Sequence, residues 1–497
     1  MRKLFTIFSL VCIALLASCT KGSYTDLVPK DATIVAAVRL DKLVQDADVP
    51  NSSLMSYADD YMGVIANGED REMLREFMDD PSVIGLDFSE PAYVFATHAK
   101  HLGLVLKVDD ADRVDAFFEF MHKLQLATKT TSRGHLTWTD LLGDFHVAYD
   151  QRALLVLMDA EGKTPANMLR NHMTALFDQD AEDSFGQHPC SEEWAKSPSH
   201  IQFYARATAL PSDWGEGVKS LLPQGVRVAD VAVKADVQFS SGEAIVNARL
   251  TSENESVEEK LGAQTKHTKP IQGAFLNMVP DDFLAFATLG CEGEWLLDLL
   301  KSNADTKQRL FLMERAIDIE AILRAVEGDV AVVLPTTYID HSNDLTAAAQ
   351  IKSTDFMSDF NYWKQTAKDY HITLSKIADD QYCVSAEGQE ILWGIDKSEK
   401  PATIYFATSA ALRQQAFGRR SSSLAGYHDL MSQSDFFACV NIKPLKEHLA
   451  SHTQVPAFLT PMLQASELLL LSKSQDGQFT LRLIAKDPST NILKQLF

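Results

Sequence analysis

Downstream of residue 24 the apolar positions fall into short runs of about four to eight. Longer stretches between them carry an apolar residue every third or fourth position. The runs predict strands and the stretches predict helices. The order of these elements occurs twice. Leu27-Val28-Pro29-Lys30-Asp31 leads into an apolar run over 32–38, and Met278-Val279-Pro280-Asp281-Asp282 leads into one over 283–289, with the two prolines 251 residues apart. A helix follows each, over 40–44 and 294–300. Residues 91–97 and 329–334 each predict a strand. Residues 102–120 and 345–363 each read as a strand running into a helix, with Lys107 and Lys352 offset by 245. Asp109 or Asp110, and Ser353 or Thr354, are natural N-caps. Val114, Phe117, Phe118 and Met121 form an apolar stripe at helical spacing.

The echo continues with strands at 145–149 and 154–158. A helix follows over 165–177, capped by Thr164 with Pro165 in the first position. The counterparts are strands at 382–386, 391–395 and 403–407, then a helix near 410–417. Residues 200–208 match 435–442. Each half ends in a hairpin and a helix: 228–239, 244–250 and 255–261 in the first, 467–474, 479–485 and 490–496 in the second, with turns at Gly242 and Asp476-Gly477. The expected fold is therefore α+β: a tandem duplication of a unit with a largely antiparallel sheet backed by helices on one face. The repeats are expected over 24–268 and 269–497, divided near the polar segment 264–272 with Pro270. The pattern leaves open whether they are separate domains or share one sheet.

Upstream of the first repeat the pattern changes. Met1-Arg2-Lys3 is a short positive start, followed by an apolar run over 4–16 broken only by Thr6 and Ser9, and then Leu16-Ala17-Ser18-Cys19. A charged start, a short apolar core and small residues at a cut site predict a secretory signal over 1–18. The run is too short to span a bilayer, which takes roughly 20 apolar residues. The last four residues resemble a bacterial lipobox. That resemblance implies cleavage before Cys19 and acylation of its thiol, palmitate included, since only a thiol forms the thioether to the lipid. Residues 19–23 would then be a lipidated tether. Each buried methylene contributes about 0.8 kcal/mol, so two or three chains hold a protein firmly to a membrane.

Length and composition add boundaries rather than chemistry. The chain has 497 residues, 46% hydrophobic and 23% charged, and a formal net charge of −22, which becomes −24 once Arg2 and Lys3 leave with the signal. So acidic a chain excludes nucleic acid as a partner, because phosphate backbones demand a basic patch. It also disfavours lying flat on anionic lipid. Of six cysteines, Cys12 leaves with the signal and Cys19 carries the lipid. Cys190, Cys291, Cys383 and Cys439 are scattered without a C-x-x-C pair. A cysteine metal cluster is therefore not expected. Buried free thiols are, with at most one bridge.

Candidate chemistry is sparse. There is no G-x-S-x-G, H-E-x-x-H, phosphate-binding loop or dinucleotide fingerprint. His98 and His101 are three apart but lie between two predicted strands, where a polar turn is the simpler reading. His135, Trp138, Asp140, Asp144 and His146 are close in sequence and read as an alternating hairpin. Asp109, Asp110, Asp112 and Asp115 lack the glycine and terminal glutamate of a calcium loop and suit a helix N-terminus better. Trp295 and Trp363 fall on apolar helix faces. Trp214, in Pro211-Ser212-Asp213-Trp214-Gly215, reads as a loop aromatic able to touch a ligand such as a sugar. No catalytic residue, metal site or cofactor is expected, and the ligand is not legible.

Three segments carry a family resemblance. Tyr24-Thr25-Asp26-Leu27-Val28-Pro29-Lys30-Asp31-Ala32 follows the lipobox. Asp80-Pro81-Ser82-Val83-Ile84-Gly85-Leu86-Asp87-Phe88-Ser89-Glu90-Pro91 is similar to a D-P-S-x-x-G-(I/L)-D entry to a strand, and Glu327-Gly328-Asp329-Val330-Ala331 to its second-half equivalent. Together they resemble a family of uncharacterised lipoproteins, about 500 residues long, from Bacteroides-like bacteria, classed as a domain of unknown function. The resemblance implies an envelope address and brings no activity, cofactor or catalytic residue. Some surface-exported lipoproteins of such bacteria carry acidic residues directly after the cysteine. Here Thr20, Lys21, Gly22 and Ser23 stand there, which favours an outer membrane location facing the periplasm. The expected function is that of a membrane-anchored, non-enzymatic binding or assembly module with an envelope protein partner. A hydrolase or carbohydrate-active enzyme with an unrecognised acidic site is one alternative, and a hydrophobic-ligand carrier another.

Overall fold

The computed structural model describes residues 22–496 apart from 224, 264–266, 303, 315–316, 340–343, 387–388, 399, 418–421 and 453–459. The expected signal over 1–18, the lipidation site Cys19 and the tether up to residue 21 lie outside the described residues. The chain separates into two compact units: residues up to 220 with 232–239, and residues 221–231 with 240–496. The segment around Pro270 falls inside the second unit.

The first unit is built on strands β1 (Ile34–Val38), β2 (Ala92–Ala96), β3 (His101–Lys107), β4 (Thr131–Arg133), β5 (Leu136–Leu141), β6 (Phe145–Tyr149), β7 (Ala153–Asp159), β8 (Ile201–Arg206) and β9 (Ala232–Ser240). Antiparallel pairing gives the order β9-β8-β1-β2-β3-β7-β6-β5-β4. The second unit has β10 (Glu243–Thr251), β11 (Phe283–Glu292), β12 (Val326–Pro335), β13 (Thr346–Ile351), β14 (Thr373–Ala378), β15 (Gln381–Ala386), β16 (Gln389–Asp396), β17 (Ala402–Ala407), β18 (Ser434–Asn441), β19 (Ser466–Ser474) and β20 (Phe479–Ala485). Its order is β10-β20-β19-β18-β11-β12-β13-β17-β16-β15-β14, again antiparallel throughout. From β19 to β14 this reproduces the first unit strand for strand. The α+β class and the antiparallel sheets are as the sequence pattern predicts.

The expectation of helices on one face is corrected. Along β6 and β7 alternate residues enter different cores. Ala148, Leu155 and Leu157 pack with Leu169, Met173, Leu176 and Phe177 of the helix Ala166–Asp178. Val147, Tyr149 and Leu154 pack with Val114 and Phe118 of the helix Ala111–Lys123. A sheet buried on both faces reads as a continuous apolar run, and Ala153-Leu154-Leu155-Val156-Leu157-Met158 is one. The second unit repeats the device. Ala349 and Ile404 face the helix Gly293–Ser302, while Ala348 and Tyr405 face Leu424, Met431 and Phe437.

Local capping follows the expected chemistry in part. Asp110 caps the helix Ala111–Lys123, its carboxylate accepting from Asp112 N at 3.1 Å and Arg113 N at 3.3 Å. Thr164 does not cap the next helix, which starts at Ala166 behind Pro165. Its hydroxyl lies 3.2 Å from His101 Nε2 instead. Trp214 stands on the helix Ser212–Ser220 rather than in a loop, and is 67% exposed. Cys190, Cys291, Cys383 and Cys439 are buried and form no disulfide.

Candidate functional site

The two-residue period of a strand places Ala37 and Arg39 on one side of the chain as β1 ends. Register then sets their neighbours: Ala37 lies opposite Tyr93 of β2 and opposite Gln202 of β8. A methyl group between two long polar side chains leaves a hollow. The hollow opens into a cavity of about 640 Å³ in the first unit, at the end of the sheet where β1 and β3 finish and β2, β7 and β8 begin. One wall is the helix Pro189–Lys196, which presents Ser191, Trp194 and Ala195 at helical spacing. Another is the turn Tyr24–Leu27, begun by Ser23, whose hydroxyl accepts from Thr25 N at 3.3 Å. Tyr24 is fixed by a hydrogen bond from its hydroxyl to Pro91 O at 2.9 Å and by edge contact with Tyr93 at 5.9 Å.

The lining is cationic in an acidic chain. Arg39, Lys107 and Arg152 face the cavity with Glu90 as the one carboxylate among its lining residues, although the chain holds 68 acidic against 46 basic residues. Lys107 is committed to Asp87 at 2.9 Å and Glu90 at 3.4 Å. The Asp87 partner raises the Lys107 pKa, and hydrogen bonds from Ser89 and then Lys107 lower that of Asp87. Arg152 is committed to Asp150 at 3.1 Å and donates to Phe177 O. Arg39 differs: its backbone N–H donates to His200 O, but its Nε is buried without an acceptor among the described residues. Gln202, 2% exposed, likewise holds its amide nitrogen buried and unpaired. Burial raises the pKa values of Tyr24 and Tyr93, so both hydroxyls stay protonated. Two of the lining donors, Arg39 Nε and the Gln202 amide nitrogen, are thus left without acceptors among the described residues. Such orphaned groups each cost stability and are uncommon in native proteins.

The residues singled out by sequence fall elsewhere. His98 is exposed in the β2–β3 turn. His101 is buried, with its Nδ1 3.1 Å from His172 Nδ1. The β5–β6 hairpin brings Asp140 and His146 together at 2.7 Å, with Arg170 on the other carboxylate oxygen at 2.6 Å. His135 is exposed, 3.7 Å from Asp178. Asp115 accepts from the Tyr149 hydroxyl. No group of three or more histidine, cysteine or acidic side chains suited to a metal occurs among the described residues. None of Arg39, Tyr93 and Gln202 was visible as a site residue in the sequence. They converge only through strand register between segments far apart in the chain.

A family model for a domain of unknown function, DUF4836, matches residues 24–423, and the chain belongs to that family. No curated protein matches it. Among solved structures it is similar to crystal forms I, IV and III of TP0453. Identities are 11%, 12% and 12%, and the TM-score is 0.28 in each case. The matches cover 47%, 46% and 50% of this chain and 81%, 79% and 88% of theirs. No helix among the described residues is long and apolar enough to cross a membrane.

Proposed function

We propose that this protein is a lipid-anchored envelope lipoprotein, of the kind found in Bacteroides-like bacteria, and that its first unit binds a small polar ligand. The observation that carries the binding reading is the cavity of about 640 Å³ lined by Arg39, Tyr93 and Gln202, where Arg39 Nε and the Gln202 amide nitrogen lack partners among the described residues. A hydrophobic-ligand carrier would call for predominantly apolar walls, and here Arg39, Lys107, Arg152, Glu90 and Gln202 line the cavity beside Val108 and Trp194. The anchoring reading is supported by the sequence ending in Leu16-Ala17-Ser18-Cys19 and by the start of the family match at residue 24, just beyond it. The repeated strand order supports an origin by duplication. The test is metabolic labelling of the full chain with a palmitate analogue in its host, wild type beside Cys19→Ala, followed by recovery of co-purifying material. Label lost in the variant, with a small molecule or partner retained by the wild type, is the expected result. Label unchanged in the variant refutes the anchor, and a native protein that retains nothing and binds nothing refutes the binding module.

A further inference from the structure

The cavity's chemistry narrows its ligand. Three facts bear on this, each independent of the others. First, Arg39 is the one lining cation with no carboxylate: Lys107 and Arg152 are neutralised by Asp87, Glu90 and Asp150, while Arg39 enters no ion pair in the described protein. A guanidinium whose Nε is buried has lost water on that side, and only an acceptor from outside can restore the bond. Second, Gln202, almost wholly buried, lines the same cavity, and its amide nitrogen has no partner among the described residues. Third, Tyr93 stands across Ala37 from Gln202 in the sheet and lines the same cavity. A guanidinium, an amide N–H and a phenol O–H around one hollow offer donors in excess, and a guanidinium fork matches a planar or tetrahedral oxyanion.

We infer that the first-unit cavity is an anion site, in which Arg39, Gln202 and Tyr93 take a carboxylate or phosphate group of a small ligand. Arg39 supplies the charge, Gln202 and Tyr93 fix orientation, and Trp194 gives an apolar wall for the remainder of the ligand. The inference rests on the binding reading above. A phosphate could come from a soluble metabolite or from a lipid headgroup, and both present the same oxygens.

Calorimetric titration of the full chain in detergent tests this, with succinate, inorganic phosphate, glycerol 3-phosphate as the headgroup fragment, and glucose as an uncharged control. At least one anion is expected to bind saturably, to weaken tenfold or more in Arg39→Gln and in Gln202→Leu, and to weaken as salt rises. Circular dichroism of the variants should be unchanged, since neither side-chain donor is bonded within the protein. Glycerol 3-phosphate binding tenfold tighter than inorganic phosphate assigns the site to a headgroup; equal or weaker binding assigns it to a soluble anion. Anion binding that is untouched by Arg39→Gln overturns the inference. So does glucose binding without anion binding, which would leave the binding reading standing. If all four probes fail, the anion site falls, and the binding reading is then decided by the co-purification above.

Discussion

The same strand order in the two units makes position-by-position comparison possible. With the offset of 251 set by Pro29 and Pro280, Ala37 corresponds to Thr288 and Arg39 to Gly290. Register then equates Tyr93 with Ala331 and Gln202 with Phe437. Where the first unit presents donors, the second presents small and apolar groups, and its own chain covers them. Lys269 N donates to Gly290 O at 2.8 Å and Ile271 N to Ser434 O at 2.9 Å. The buried Asp329 carboxylate accepts from Gln272 N at 2.9 Å and Ala274 N at 3.0 Å. Gly290 is required there, because a Cβ would stand 2.2 Å from Lys269 O. By the same offset Gly22 and Ser23, which border the cavity, correspond to Gly273 and Ala274 of this strap. The corresponding positions are thus self-satisfied in the second unit, while Arg39 and Gln202 of the first hold donors without partners among the described residues.

The largest test of that contrast is Asp329→Ala. It removes the acceptor for two backbone N–H groups in a position with 0% exposure, and a loss of about 3 kcal/mol is expected in denaturant unfolding of the second unit. An unchanged midpoint would mean that the strap is not held by this carboxylate. Ala37→Leu fills the hollow between Tyr93 and Gln202. It should abolish ligand binding and destabilise the first unit by about 2 kcal/mol through overpacking; retained affinity would place the ligand elsewhere. Gln202→Leu should move stability the other way, upward by about 1 kcal/mol without ligand, because an unpaired buried donor is replaced by an apolar group. A loss of stability there would show that the amide is satisfied in the protein.

The smallest effect concerns His172. Burial, then His101, holds its pKa below the usual 6.5. In that case the unfolded chain binds the proton more readily, so stability contributed by neutral His172 is full above 6.5 and falls as pH drops toward the lowered value. Melting temperature between pH 7.5 and 5 should decline less steeply in His172→Gln than in wild type. In the same native protein Cys291 and Cys439, whose thiols burial pushes up to about 12, should react with a thiol reagent only on unfolding.

Much of this fold was legible because its signals are local. The run 145–149 and the helix 410–417 have the bounds found in the structure, and the hairpin expected at 467–474 and 479–485 lies within a residue of its expected limits. The covering of both sheet faces was missed, although the unbroken apolar run in β7 was its trace. Thr164 was misread because its hydroxyl answers a distant residue, His101, rather than its own helix. The site was not legible for the same reason on a larger scale. Arg39 reads as an ordinary charged residue after a strand, Gln202 as a polar residue within one, and neither motif nor spacing links them. Only the pairing of β1 with both β2 and β8 does.

That pairing also orders events in time. Ile34 has Ala96 on one side and Ala205 on the other, and Ala285 likewise has Leu334 and Val440. β1 and β11 are thus central strands, each with a second neighbour synthesised far later. Contacts so distant in sequence slow folding, and until β8 and β18 arrive, β1 and β11 each present a bare hydrogen-bonding edge of the kind that recruits foreign strands. The interval between synthesis of β1 and of β8 is therefore when this chain most needs a chaperone beside it.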